Sequence, residues 1–483
     1  ASSSPQSPRV RHMSQPSFKA EYTTAPLKQT MFKAALAMLP ATLAMSGYNI
    51  TDTFFVGRLG QTAPLAAMGY TFPVVMFYNC IFFGLGSGSM ANLAHALGRK
   101  DGRQAQAIVG SSILLISLTS ICLAWLGITW GDSIFIRLGA RGETLEQVRA
   151  YMNVWFAGSI AAALSREGNK ILIAAGSPRV SSSMTVIGML LNVILDPIFI
   201  FGWGFVPGMG IKGAAIATVI SQSLSSFVIL IILKRKQLLA PSTLSPSRVW
   251  QSWGLIIRYG VPAMLGMLLV PIANSIITHI TAQFGDVALA GVSAASRLEM
   301  VAFVFPMALG TTLMPMMAQN FGAGLYQRVK DCLRISLHFS FWFLFIIGLV
   351  YVAAAPLLVG IFTPEKPVQA VMITYLRIIP LGLCMVECMR FAGFALMACA
   401  QPKTDALLKA LRVVGLHIPL SLLALHMHSL PGVFFARLIS DVLGGLIVMF
   451  FAWRMLNKLT ANKKEKRDVT QSLPNPQPTN LAN

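Results

Sequence analysis

The segment Phe339–Pro356, with the sequence FSFWFLFIIGLVYVAAAP, has no charged residue in 18 consecutive positions. A second segment, Ile113–Leu126 (ILLISLTSICLAWL), is equally free of charge. Both stretches are continuously apolar, so they predict helices and not the alternating strands of an outer-membrane barrel. A run of this kind approaches the length that a helix needs to cross the hydrocarbon core of a bilayer. We therefore expect an all-α integral membrane protein.

The composition of the whole chain predicts the same fold class. Of 483 residues, 55% are hydrophobic and 11% are charged, and the mean hydropathy is +0.66, which excludes an ordinary soluble domain. A net charge of +21 would favour a nucleic-acid partner in a soluble protein, but here the basic residues form short clusters between apolar runs. The six cysteines lie in or beside apolar segments without zinc-ligand spacing, so we interpret them as packing residues.

Helix-length apolar segments predict twelve membrane spans. They are residues 31–56, 65–96, 108–130, 148–175, 180–201, 211–233, 255–283, 288–318, 335–357, 371–399, 405–427 and 431–456. With twelve spans, most of the basic clusters fall on one side of the membrane, and cytoplasmic loops are the ones enriched in Lys and Arg. We therefore expect both termini in the cytoplasm. The predicted order is a disordered tail (1–30), a six-helix lobe (31–233), a linker (234–253), a second lobe (254–456) and a cytoplasmic tail (457–483).

The two predicted lobes repeat one another at an offset of 224 residues, which shifts locally to 222 in the first helix and to 219 in the sixth. The matches at this offset include Gly86 with Gly310, Gly98 with Gly322, Arg166 with Arg390 and Pro178 with Pro402. Because six is an even number, both lobes enter the membrane in the same orientation, related by a pseudo-two-fold axis along the membrane normal. The cleft between two such bundles is a natural substrate path, which favours a carrier.

Acidic residues inside the spans are the first functional candidates, because an ionisable group in a helix core costs a few kcal/mol. They are Asp52, Glu167, Asp196, Glu299, Glu387 and Asp441. Asp52 and Asp196 lie about five residues, and Thr218 about seven, from the outer ends of their helices, which places all three roughly 8–10 Å below the outer surface. Asn192 is one turn from Asp196 on the same helix face.

We interpret Asp52, Asn192, Asp196 and Thr218 as a cation-coupling site, because their oxygen ligands suit a proton or a hard cation such as Na⁺ better than a transition metal. The alternative interpretation is structural, with Asp52 ending its helix and Asp196 accompanying a proline kink. The repeat favours the functional interpretation, because the second half keeps the packing glycines but lacks this cluster. The corresponding positions hold Asn274, Leu416, Leu420 and Arg437.

The remaining charges inside the spans are interpreted mainly as structural ion pairs, with substrate recognition as the alternative. Arg437 and Asp441 are four residues apart, and Glu387 and Arg390 three apart, so each pair can form on one helix face. Glu299 has no evident partner, since Arg297 lies on a different face of its helix. Adaptable Met and Phe side chains can line a pocket for varied amphiphiles, although ordinary packing is their default role. The candidates for the substrate path are Met38, Met45, Met68, Phe72, Met189, Arg297 and Glu299.

Three motifs resemble the multidrug and toxic compound extrusion (MATE) family of transporters. They are Asp52-Thr-Phe-Phe-Val-Gly-Arg-Leu-Gly60, Asn192-Val-Ile-Leu-Asp196-Pro-Ile-Phe-Ile200 and Gly210-Ile-Lys-Gly-Ala-Ala-Ile-Ala-Thr218. The resemblance spans residues 30 to 456 and is greatest to the DinF-type branch, whose cation site would fall on the same four residues and on Asn169. Our depth estimate places Asn169 nearer the cytoplasm. The NorM-like branch has a glutamate on its seventh helix, and the segment Pro262–Gln283 has no acidic residue.

The resemblance implies a bacterial inner-membrane antiporter, monomeric and without a cofactor, in which inward H⁺ or Na⁺ drives export of amphiphilic, often cationic, organic compounds. A lipid-linked oligosaccharide flippase of the same superfamily is the rival transporter, and it would need a strongly basic central groove. A membrane-embedded transferase would need paired metal-binding Asp motifs, which the sequence lacks. A passive channel is disfavoured because no re-entrant filter segment is evident.

Overall fold

A computed structural model describes residues 21–60, 62–240 and 243–472, without the side chains at 46–50, 52, 53, 62, 65, 361, 362 and 466–472. Twelve long helices follow a four-residue helix, Glu21–Thr24. They are α1 (Leu27–Gly57), α2 (Thr62–Gly98), α3 (Gly102–Arg137), α4 (Gly142–Ala174), α5 (Pro178–Phe201), α6 (Ile211–Arg235), α7 (Pro246–Ala282), α8 (Asp286–Ala302 and Val304–Gly322), α9 (Tyr326–Phe362), α10 (Lys366–Ile378, the 3-10 turn Ile379–Gly382 and Leu383–Ala398), α11 (Pro402–Ala410, the π-helical segment Leu411–His417 and Ile418–His426) and α12 (Leu430–Ser472). The all-helical, twelve-helix prediction is confirmed.

The helices are long and apolar enough to form a multi-pass membrane protein. Among the described residues, nine of them meet the length and hydropathy requirements for a span, and the two parts of α8 together make a tenth. The other two helices are α1 and α4. Some side chains of α1 lie outside the described residues. α4 is more polar, because it carries residues such as Arg149, Arg166, Glu167 and Lys170.

Several helices extend beyond the predicted spans. Residues 21–30, which the sequence placed in a disordered tail, contribute the helix Glu21–Thr24 and the start of α1. Tyr22 is buried there, at 3% exposure. At the other end of the chain, α12 continues through Ser472, well past the last predicted apolar position.

α8 is bent by 55° between its two parts. Pro306 lies in the first turn of the second part and has no N–H to bond the carbonyl oxygen of Ala302, so the helix breaks just before it. We call α1–α6 the N lobe and α7–α12 the C lobe. The first part of α8 packs against α7, α9 and α10 of its own lobe. The second part packs against α9 and α10 and also against α1 and α2, so it is the second part that contacts the N lobe.

The internal repeat is visible in the backbone. Lys100 and Gly324, which are equivalent positions of the repeat, both adopt a left-handed conformation, with φ of 59° and 70°. Gly176 and Ala400, a second equivalent pair, have φ of 78° and 65°. Two of these four residues are not glycine, so local preference alone does not account for the conformation. The shared turns support a duplicated six-helix unit.

The lobes meet at one end of the bundle, where α1 begins and α2 ends, which we call the terminal end. There α2 and α8 cross so closely that a Cβ on Gly98 would overlap the carbonyl oxygen of Gln319, and one on Gly322 would overlap that of His95. His95 and Gln319 are themselves equivalent positions of the repeat. The crossing therefore has the pseudo-two-fold symmetry that the repeat predicts.

The same two residues hydrogen-bond the opposite lobes. His95 Nε2 donates to the carbonyl oxygen of Ala398, and Gln319 Nε2 to that of Ala174, both at 2.7 Å. Tyr22 connects the two lobes, because its carbonyl oxygen accepts from Asn320 Nδ2 of the C lobe and its hydroxyl donates to the carbonyl oxygen of Ile173 in the N lobe, both at 3.1 Å. Burial raises the pKa of the Tyr22 phenol above its ordinary value, so the hydroxyl keeps the proton that it donates. These bonds hold the lobes together at the terminal end.

Candidate functional site: a buried polar cluster in the N lobe

Three of the predicted coupling residues meet between α5 and α6. Asn192 Nδ2 donates to Asp196 Oδ1 at 3.1 Å and to Thr218 Oγ1 at 3.4 Å. Asn192 and Asp196 are completely buried, and Thr218 is 9% exposed. The amide, the carboxylate and the hydroxyl thus form one connected group inside the lobe.

The local sequence explains how the cluster forms. Asn192 and Asp196 are one helical turn apart, so both side chains lie on the same face of α5. Gly213 allows α6 to approach that helix, because any Cβ there would overlap the carbonyl oxygen of Phe199. Pro197 lacks the N–H that would bond the carbonyl oxygen of Val193, which leaves an additional backbone acceptor within one turn of Asp196.

The cluster is chemically suited to a proton or a hard cation. Asn192 Oδ1 is buried and accepts no hydrogen bond from the described residues. Together with the Asp196 carboxylate and Thr218 Oγ1, it supplies oxygen ligands only, the type that hard cations prefer. Within the described part of the chain, no group of three or more His, Cys, Asp or Glu side chains could hold a transition metal. The residues therefore fit H⁺ or Na⁺.

The other two predicted members of the site are Asp52 and Asn169. Asp52 lies in α1, which packs along α5, but its side chain is outside the described residues. Asn169 lies on α4 and accepts a hydrogen bond from Ser181 Oγ at 2.9 Å. Ser181 precedes Asn192 by eleven residues, about 16 Å along α5. Asn169 is therefore nearer the terminal end than Asn192 is.

A second polar group connects α4 to α2, and it includes Glu167, a candidate from the sequence, and Lys170, which the sequence reasoning missed. Lys170 Nζ donates to the carbonyl oxygen of Phe83 at 2.9 Å, and Ser89 donates to Glu167. Both charged groups approach the backbone of Gly86, where a Cβ would lie 2.6 Å from Lys170 Nζ and 2.8 Å from Glu167 Oε2. Lys170 lies one turn from Glu167 inside a predicted span, and that spacing is the signal that could have revealed it.

Replacing Glu167 by Leu is expected to destabilise the protein by about 1–3 kcal/mol, because the buried hydroxyl of Ser89 would lose the carboxylate to which it donates. The double variant Glu167→Leu/Ser89→Ala removes both partners and should recover most of the loss. The measurement is the midpoint of thermal unfolding of the purified protein in detergent. Glu143→Leu, at the exposed start of the same helix, is the matched control. A single variant as stable as that control would contradict the prediction.

The C lobe contains ion pairs that differ from those expected. Arg437 bonds Glu299, and Asp441 pairs with Arg412, while the predicted pair of Arg437 Nε with Asp441 is longer, at 3.6 Å. Tyr375 joins this network, donating to Glu299 Oε2 at 2.6 Å and accepting from Arg437 Nη1 at 2.8 Å. The missing partner of Glu299 is thus Arg437. The pair of Glu387 with Arg390 forms as predicted.

The predicted substrate-path residues lie in different environments. Met38 is buried against Ala41, Ile173 and Ala308. Met45 and Phe72 are about two-thirds exposed, at 65% and 66%. Met68 and Met189 are half-buried, Arg297 is exposed and Glu299 is buried. Only the exposed and half-buried positions can contact a molecule in the cleft in this conformation.

Known proteins resemble this chain over nearly its whole length. A family model described as MatE matches residues 38–198 and 262–423, one segment in each lobe. The FAD transporter of Shewanella oneidensis is 30% identical, covering 91% of this chain and 97% of its own. The multidrug export protein MepA of Staphylococcus aureus is 25% identical, covering 92% and 97%. The bent form of the Vibrio cholerae MATE transporter VcmN is 26% identical, with a TM-score of 0.84 over 90% of this chain and 98% of that one.

Proposed function

Because the chain belongs to the MatE family of membrane transporters, we propose that it exports organic amphiphiles in exchange for H⁺ or Na⁺. The family consists of transporters and not enzymes, and the relatives include a multidrug export protein. The observation that carries the proposal is the buried cluster of Asn192, Asp196 and Thr218. It offers a cation an oxygen-lined site inside one lobe of a two-lobe bundle.

The proposed cycle is alternating access between the two lobes. With the termini in the cytoplasm, the terminal end faces the cytoplasm, and its hydrogen bonds close the cleft on that side. A cation entering from the outside binds at Asp196 and replaces the hydrogen bond from Asn192. Because α1 packs along α5, this change reaches a helix at the boundary between the lobes. The cation has to favour one conformation over the other for the equilibrium to shift.

Export of a flavin dinucleotide is the second candidate function. It is supported by the FAD transporter of Shewanella oneidensis, which is 30% identical. It is also supported by the arginines of the C lobe, because guanidinium groups bind phosphate oxygens in a bidentate manner. A cationic drug would not use these residues in that way. The two substrate classes therefore predict different partners in the C lobe.

Transport by the purified protein in proteoliposomes tests the proposal. Ethidium and FAD should each be assayed under an imposed pH gradient, an imposed Na⁺ gradient and no gradient, with protein-free liposomes as the control. We expect at least one of the two compounds to accumulate against its own gradient only while an ion gradient is present. Movement of both compounds only down their own gradients would overturn ion coupling and favour a channel or a flippase.

A further inference from the structure

Four ion pairs in the C lobe share one orientation. In each pair the carboxylate is buried and the cation is partly exposed. The exposed fractions of the side chains are 1% for Glu387 and 29% for Arg390, 2% for Asp405 and 26% for Lys409, 3% for Asp441 and 18% for Arg412, and 12% for Glu299 and 27% for Arg437. The open side of all four pairs is therefore positive.

The exposed cations lie among the helices of the C lobe. The stem of Lys409 on α11 lies close to Gly393 of α10 and Gly266 of α7. Arg390 on α10 lies close to Gly310 of α8, and Arg412 on α11 lies against Gly444 of α12. Arg437 on α12 bonds groups on α8 and α10. Each cation therefore lies at a contact between helices of the C lobe.

The four cations are neighbours, and we call them the basic face (Arg390, Lys409, Arg412 and Arg437). Gly393, which is one turn from Arg390, lies against the stem of Lys409. Lys409 and Arg412 are three residues apart on α11, and Arg412 and Arg437 share the carboxylate of Asp441. The π-helical segment of α11 begins at Leu411, so Arg412 is its second residue. Segments of this type occur frequently at functional sites.

The basic face also has unused hydrogen-bonding capacity. Arg390 donates to Glu387 through Nη2, and Arg412 donates to Asp441 through Nη1. Each guanidinium has five N–H donors, more than one carboxylate can accept. Phosphate oxygens are suitable acceptors, because the planar guanidinium matches them in a bidentate arrangement.

The lobes are chemically opposite at one pair of positions related by the repeat. Thr218 belongs to the cation cluster of the N lobe, and Arg437, which corresponds to it, belongs to the basic face. We infer that the basic face binds the phosphate groups of an anionic organic substrate. This inference rests on the proposed export function, and it assigns the ion to the N lobe and the anionic group to the C lobe. Because the buried carboxylates neutralise the face, a bound phosphate can also be released.

Purely structural ion pairing is the competing explanation. Buried pairs do occur without a ligand, and such pairs contribute little net stability. Arg and Lys have longer stems than Asp and Glu, so a structural role also accounts for an exposed cation in each pair. It does not require that four such pairs lie next to one another in one lobe.

Binding of two flavins to the purified protein in detergent tests the inference. Flavin mononucleotide and riboflavin differ by a single phosphate ester, and both fluoresce. We expect the protein to bind flavin mononucleotide at least tenfold more tightly than riboflavin. Arg412→Gln should remove that preference and leave riboflavin binding unchanged. Arg412→Gln/Asp441→Asn retains the charge balance and should lose the preference in the same way if the single variant does not fold.

The N-lobe variant Arg166→Gln is the matched control, because Arg166 is the repeat counterpart of Arg390 and lies in the other lobe, where it donates to Asn79. It should retain the preference for flavin mononucleotide. Equal or undetectable binding of the two flavins by the wild type, or an unchanged preference in the Arg412 variants, would overturn the inference. The assay uses no ion gradient, so a failure of ion coupling in proteoliposomes is a separate result.

Discussion

Asp196→Asn is expected to abolish ion-driven export while the protein still folds. The substitution keeps the size of the side chain but removes the only charge in the buried group formed with Asn192 and Thr218. An amide cannot release a proton, and it attracts a cation much less strongly than a carboxylate does. If the cluster couples ion entry to export, accumulation of substrate under an ion gradient should fall to the level of protein-free liposomes.

The measurement is the proteoliposome assay with pH and Na⁺ gradients, together with size-exclusion behaviour and thermal midpoint to establish folding. Asp132→Asn is the matched control, because it removes a carboxylate from the exposed ion pair with Arg149 in the same lobe. It should transport like the wild type. Asp52→Asn should resemble Asp196→Asn, since the sequence places both in one site. Gradient-driven export by Asp196→Asn at the wild-type rate would exclude the cluster as the coupling site.

The positions of the helices were predictable because apolar length determines them directly. The bilayer requires about 20 apolar residues in each span, and the predicted segments lie within the observed helices to within a few residues. The break in α8 was missed, because residues 288–318 were interpreted as one continuous span. The signal was Pro306, whose missing N–H ends the first part of the helix at Ala302.

The contacts of Asn192 with Asp196 and Thr218 were predictable for a related reason. Asn192 and Asp196 are four residues apart, and this spacing alone places them on one helix face. Thr218 could be added because helix geometry converts its position into a depth. The side chain of Asp52 lies outside the described residues, so its place in the cluster is still a prediction.

The ion pairs of the C lobe were not predictable by the same reasoning. Spacing along one helix identifies only neighbours on that helix, such as Glu387 with Arg390. Glu299 and Arg437 are 138 residues apart, and their pairing depends on how α8 and α12 pack together. Which partner of a pair is exposed depends on the same packing, so the basic face could only be recognised in the structure.

Gly98→Leu is expected to block transport by preventing closure of the terminal end. A Cβ at this position would overlap the carbonyl oxygen of Gln319, and a backbone atom cannot move aside as a flexible side chain can. The lobes should therefore separate where His95 and Gln319 now bond across them. Without a form closed on this side, alternating access cannot be completed, and export should fall to background.

Separation of the lobes can be measured independently of transport. Ala94 is fully buried in a cluster that includes C-lobe residues such as Leu313 and Met317, so Ala94→Cys in a cysteine-free background should react slowly with a maleimide. Adding Gly98→Leu should make that cysteine reactive. Gly254→Leu on α7 is the control, because a Cβ there meets no atom within 4 Å. Wild-type export by Gly98→Leu with the cysteine still protected would mean that this crossing does not control closure, whereas lost export with a reactive cysteine identifies α2 and α8 as the point where the two lobes close.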